Sequence, residues 1–179
     1  PKPTHRHEAY KEYKAGRAKT DENLVLQIKR SRDVFSAFGI PLYDKEGFEA
    51  DDILGTIVEN LKSRPDIEII VASGDMDTLQ LVSSKKVQVY TMKKGIKDTI
   101  LYDEDAVMER FGFGPELLPD YKGLRGDPSD NIIGIKGIGE KTATTLVVAY
   151  GTLEKMYQDI KKNPEKIKAL GVTDRVFNL

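Results

Sequence analysis

The segment IEIIVASGD, residues 67–75, constrains the fold more than any other stretch of this chain. It is a β-branched run with no polar alternation, and it ends in Gly-Asp. That pattern predicts a strand buried in a parallel sheet. Two further strands are expected at VQVYTM, 87–92, and at TILYD, 99–103, where Asp103 caps a helix that ends at Gly112. IPLYD, 40–44, reads as another short strand, and DTLQLV, 77–82, as a short helix. Helical spacing recurs over 22–38, through Leu24, Ile28, Val34, Phe35 and Phe38, with Gly39 as the stop. It recurs over 51–62, where Ile53, Leu54, Ile57, Val58 and Leu61 share a face. Residues 6–19 read as a helix or an arch-like segment. The alternation of strands and helices indicates an α/β layer with a mostly parallel sheet. After Pro115 the strand signal stops, and helices joined by Gly-rich turns follow. The expected division is an α/β domain over 1–117 and an all-helical region over 118–179.

The acidic residues carry the chemistry. FEADD places Glu49, Asp51 and Asp52 at a helix start, SGDMD places Asp75 and Asp77 directly after a strand, and GDPSDN places Asp127 and Asp130 at i, i+3. Like charges held this close repel. Helix capping accounts for one acid at each place, since Asp before a helix accepts orphan N–H groups. Each cluster holds at least one acid more than a cap requires, and divalent cations would offset the repulsion. The chain has no cysteine, and its two histidines, His5 and His7, are too few for an imidazole zinc site. An oxygen-ligated metal, magnesium or manganese, is the expectation. Two such ions about 4 Å apart suit phosphodiester hydrolysis. Net charge is −1, yet setting those seven acids aside leaves 22 acids against 28 bases, so metal binding would expose a basic surface.

Two further motifs suit nucleic acid. GIKGIGEKTA, 134–143, is a Gly-hydrophobic-Gly turn before a helix, flanked by Lys136 and Lys141. Free amides at a helix N-terminus bind phosphate, although a plain helix–helix turn has the same appearance. Arg6, Tyr10, Tyr13, Lys14 and Arg17 interleave bases with aromatics, as single-stranded nucleic acid requires. A solvated helix face is the competing reading, and it is the preferred one for the lysines at 155, 161, 162, 166 and 168. No apolar run approaches the ~18 residues of a membrane span.

Taken together, FEADD, SGDMD, GDPSDNI, GIKGIGEKTA and EAYKEYKAGR resemble, in order and spacing, the 5′-nuclease family. Its nearest branch is the 5′→3′ exonuclease domain of bacterial DNA polymerase I, which is related to flap endonucleases. The resemblance implies a PIN-like α/β domain followed by a helix–three-turn–helix DNA-binding region. It implies that Glu49, Asp51, Asp52, Asp75, Asp77, Asp127 and Asp130 surround two Mg2+ or Mn2+ ions, with catalysis resting on Lys14, Asp52 and Asp75. Lys14 would meet the scissile phosphate, Tyr13 would stack on a displaced base, and Arg17 would lie near the 5′ strand, with Arg6 and Tyr10 in the same DNA-binding segment. Lys136, Gly137, Ile138, Gly139, Lys141 and Thr142 would hold duplex backbone, with K+ at the Gly137–Gly139 turn. The implied substrate is 5′-flap, nicked or branched DNA, or an RNA primer. The implied protein is a monomer of the bacterial cytoplasm, associated with the nucleoid and fused to a polymerase in its parent chain.

Set against the family, a first strand with its aspartate is absent, as is a second aspartate that would lie just before Pro1, while Ile133 stands where proline is frequent and His5 where an aromatic is frequent. The C-terminus also falls short of the family domain. Two other readings compete: a DNA-binding fragment without catalysis, and a small PIN-type ribonuclease, against which the GIGEKTA turn argues.

Overall fold

The computed structural model describes residues 3–170; the last nine positions of the expected helical region, 171–179, lie outside the described residues. Strand β1 (Ile69–Ala72) pairs in parallel with β2 (Val87–Met92), and β2 pairs antiparallel with β3 (Thr99–Tyr102). The sheet therefore holds one parallel and one antiparallel pairing, with β2 at its centre. Register places Val71 beside Val89 and Val89 beside Tyr102. These three point to one face and are buried, as are Val87 and Thr91. Ile70, Tyr90, Met92 and Leu101 occupy the other face and are exposed. The period of two is visible in β2, and only one face of the sheet is covered by the unit that contains it.

The chain divides into two compact units, the first running to Ile53 and taking back Ser129–Ile132, the second comprising Leu54–Pro128 and the chain from Ile133 onward. The second unit holds the sheet and the core. A 3-10 helix, Met76–Leu81, follows β1. Helix α4 (Glu104–Phe111) starts at Asp103, whose carboxylate accepts from Ala106 N at 3.0 Å, and stops at Gly112 in the left-handed region at φ 81°. Helix α5 (Leu118–Arg125) buries Leu118, Tyr121 and Leu124 at successive intervals of three. Helix α6 (Glu140–Tyr150) buries Ala143, Leu146, Val147 and Tyr150, one stripe of a 3.6-residue period. Helix α7 (Leu153–Lys162) contributes Met156 from below its Thr152 cap. Phe111, Phe113 and Tyr121 join their rings at 5.3–6.1 Å, which ties α4 to α5. Leu79 of the 3-10 helix is wholly buried in this core. Leu79→Ala is expected to cost about 2–5 kcal/mol, the loss for a buried leucine whose cavity collapses only in part. A denaturant titration would check this by a lower midpoint at unchanged slope.

In the first unit, helix α1 spans His5–Ala9, helix α2 spans Glu22–Ala37, and helix α3 (Ala50–Leu61) begins there before running on into the second unit. Asp21 caps α2 through the amides of Asn23 and Leu24. Helix α2 forms where it was expected, while two other expectations need correction. Of the two readings of 6–19 the continuous helix does not form: α1 ends at Ala9, Tyr10 is extended, and the chain turns through Lys14, a non-glycine residue at φ 59°. Lys14 N–H donates to the Asp130 carbonyl at 2.9 Å, a tertiary bond that a continuous helix would forbid. IPLYD forms no strand, since residues 40–44 find no ladder partner. Helix α2 buries none of its apolar residues within this unit; Leu24, Ile28, Val34, Phe35 and Phe38 are all exposed. Among the described residues no helix is long and apolar enough to cross a membrane.

Candidate active site

Three groups of side chains carry the acids and the glycine turn. The first is in unit one. Asp52, in the first turn of α3, folds back so that its Oδ2 accepts from Glu49 N at 2.8 Å. The same carboxylate is gripped by both terminal nitrogens of Arg6, each at 2.7 Å. Such a fork matches a carboxylate in both geometry and charge. The Arg6 hydrogen bonds hold the Asp52 pKa down to about 2. Its folded value lies below the unfolded one, so this pairing stabilises the fold above the ordinary carboxylate range and is lost as pH falls through about 2.

Glu49 accepts from Lys14 Nζ at 2.9 and 2.8 Å. Burial raises its pKa, and the bonds from Lys14 and Tyr13 outweigh that and lower it. Tyr13 is buried, with its hydroxyl 3.0 Å from Glu49 Oε2 and 3.1 Å from Asp130 Oδ2. One hydroxyl proton serves one of these carboxylates at a time. Burial pushes the Tyr13 phenol up to about 12, so it stays a donor at neutral pH. Arg17 Nη2 reaches Asp130 Oδ1 at 2.5 Å, and Lys14 Nζ stands 3.7 Å from Asp130 Oδ2. Glu49, Asp52 and Asp130 thus meet Arg6, Lys14 and Arg17, three negative charges facing three positive. Asp51 lies beside them in the first turn of α3. A cavity of about 950 Å3 opens on this network, lined by Thr4, His7, Lys14, Arg17 and Glu49 among others.

The stacking role expected of Tyr13 does not suit this conformation. Its ring lies inside, edge-on to His7 at 5.1 Å, and its hydroxyl is spent on carboxylates. Tyr10, by contrast, is exposed. The crowd of acids at FEADD meets basic side chains brought from the N-terminal segment here.

The second group is in unit two. Asp75 performs the cap its position suggested, accepting from Asp77 N at 3.0 Å at the head of the 3-10 helix. Asp77 is held by Lys122 of α5, and the same ammonium donates to Asp127 Oδ2 at 2.7 Å. Burial drives the Asp77 pKa upward against the pull of Lys122. Burial alone would lower the Lys122 pKa, and its bonds to Asp127 and Asp77 raise it instead. Lys122 was not anticipated. Its signal was a lysine in the last turn of a helix, four residues ahead of a Gly-Asp pair.

The third group is the glycine turn. Ile135 N donates to Leu124 O at 2.9 Å and Ile138 N to Ile135 O at 3.0 Å, while Gly137 sits at φ 89°. Ile138 is buried and pins the turn. Gly139 is the N-cap of α6 and offers no side chain to its amides. Lys141 and Thr142 follow in the first turn of that helix, and Lys136 precedes it.

The donor set is all carboxylate oxygen, which fits a hard divalent cation. Among the described residues, however, no three such groups converge as a ready metal site. Glu49, Asp52, Asp130, Asp77 and Asp127 each spend oxygens on an ammonium or guanidinium. A metal would therefore enter by exchange with these side chains.

A family profile described as the N-terminal resolvase-like domain of 5′-3′ exonucleases matches residues 1–112, and that of their C-terminal SAM fold matches residues 113–173. The DNA polymerase I of Bacillus caldotenax is 45% identical over 168 residues, and that of Bacillus subtilis strain 168 is 41% identical over 172. Each alignment covers 93% of this chain and 19% of the relative, so the chain spans about a fifth of their length. In fold, the T5 5′-exonuclease with bound zinc superposes at a TM-score of 0.72, with 24% identity, covering 98% of this chain and 68% of that one. The catalytic core of Rad2 in complex with a DNA substrate gives 0.54 at 21% identity, over 85% of this chain and 48% of its own. With the acid clusters and the glycine turn in place, these profile matches show that the chain belongs to the 5′-3′ exonuclease family.

Proposed function

We propose that this chain hydrolyses phosphodiesters near the 5′ ends of DNA, at flaps, nicks or branches or on a primer, and that it needs divalent metal to do so. The observation that carries the reading is the Lys14–Glu49–Asp130 network, in which a cation suited to a phosphate is held among carboxylates suited to a metal. Glu49, Asp51, Asp52, Asp75, Asp77, Asp127 and Asp130 are the residues we assign to two Mg2+ or Mn2+ ions. Such ions, when bound, stabilise negative charge on the attacking and leaving oxygens.

The chain's own groups do the rest. Lys14 and Arg17 turn from their carboxylates to the phosphate as it arrives. Arg6 holds Asp52 at the head of α3. The uncapped amides at Gly139 and the turn at Gly137 take duplex phosphate, the Gly137–Gly139 turn would hold K+, and Lys136, Lys141 and Thr142 flank them. These contacts position the substrate without reading its sequence. We assign the nuclease portion to residues 1–117 and the duplex-holding portion to 118–179, and expect the chain to act as a monomer, within a polymerase in its parent.

The test is cleavage of a labelled 5′-flap duplex with Mg2+ and with EDTA. Mg2+-dependent release of the flap supports the reading. Duplex binding without cleavage at any metal concentration would leave only a DNA-holding fragment.

A further inference from the structure

The ammonium of Lys122 joins two acids that come from different parts of the second unit. Asp77 lies in the 3-10 helix that follows β1, and Asp127 lies just beyond α5. Lys122 donates to both, to Asp127 at 2.7 Å. Its side chain is 30% exposed, and that of Asp127 is 12% exposed. Asp75 adds its charge to theirs and repels Asp77. Its ammonium therefore joins two carboxylates beside a third, and it comes from a flexible side chain rather than from a fixed fork such as Arg6 supplies to Asp52.

An ammonium and a small divalent cation cannot share this position. Both need the same carboxylate oxygens, and their charges repel. Without either, Asp77 and Asp127 would repel each other across the gap between their segments. We propose that Lys122 is a built-in counter-ion, which holds Asp77 and Asp127 together until a divalent cation displaces it. This rests on the reading of these acids as metal ligands, and it adds a residue that positions them. The ammonium swings to solvent on its four-carbon stem as the ion binds. The displacement weakens metal affinity while keeping the empty site assembled.

The experiment measures Mn2+ binding to the complete chain by the resonance signal of free Mn2+, beside melting curves in EDTA. Lys122→Met and the less apolar Lys122→Gln are compared with the unaltered chain, and Asp127→Asn identifies the ion held in this unit. Both Lys122 variants should melt at lower temperature in EDTA. Both should bind the ion that Asp127→Asn loses roughly tenfold more tightly, since a competing charge has gone. Lys122→Arg, which keeps the charge, should melt in EDTA close to the unaltered chain. Equal Mn2+ affinity in all forms, or weaker binding in the Met and Gln variants, would overturn the counter-ion role while leaving metal binding intact. No Mn2+ binding in any form would overturn the metal reading itself, and this inference with it.

Discussion

Lys14→Ala is expected to slow cleavage of a 5′-flap duplex by about 10²–10³-fold, the loss found when one preorganised donor to a developing negative charge is removed. The loss in affinity should be far smaller, about 1 kcal/mol, because a single phosphate contact is one of many. The geometry supports this division. Lys14 holds its backbone at φ 59° with its N–H on Asp130 O, and its ammonium lies between Glu49 and Asp130. In the resting state it neutralises Glu49 at 2.8–2.9 Å. Removing it also leaves Glu49 with the Tyr13 hydroxyl as its remaining donor from this segment. Single-turnover rates under enzyme excess, beside binding titrations, would separate the two quantities. Equal losses in rate and affinity would reduce Lys14 to an ordinary backbone contact.

Gly134→Ala is expected to destabilise the second unit by more than about 3 kcal/mol, at the severe end for a single methyl group. A Cβ at Gly134 would sit inside the backbone atoms of Gly126 and Arg125, and 2.5 Å from Leu124 O. Nothing there is a flexible side-chain end that could move aside. The segment that carries Gly134 also makes the Ile135 N to Leu124 O bond, so the two segments cannot part without losing it. Gly139→Ala provides the contrast. Its Cβ meets nothing within 4 Å, and its φ of −94° suits any residue. That variant should melt like the unaltered chain, and a loss of duplex affinity in it would report on the ligand alone. Thermal melts of the two variants check the prediction, and a Gly134→Ala chain as stable as the Gly139→Ala chain would refute the steric argument.

The elements that depend on local periodicity were legible from the residues. β1, β2 and β3 lie where β-branched runs predicted them, and α4 runs from its Asp103 cap to its Gly112 stop. Capping and alternation are short-range, so a single sequence carries them. The acid clusters were legible for the same reason: their spacing is local, and too rich for caps alone.

What tertiary structure decided was which cation meets which acid. Arg6 on Asp52, Lys14 on Glu49 and Arg17 on Asp130 join residues 35 to 113 positions apart. No period or motif encodes such a pairing; it depends on where the folded backbone brings the two segments. The same holds for residues 6–19, which read as a helix or an arch-like segment. Their local propensity was overridden when the Lys14 amide found the Asp130 carbonyl. Gly134 shows the point most plainly. The turn motif drew attention to Gly137 and Gly139, to which we assign an approach to phosphate. The glycine that leaves no room for a side chain is the one whose backbone passes against Gly126, a contact that exists only once the chain is folded.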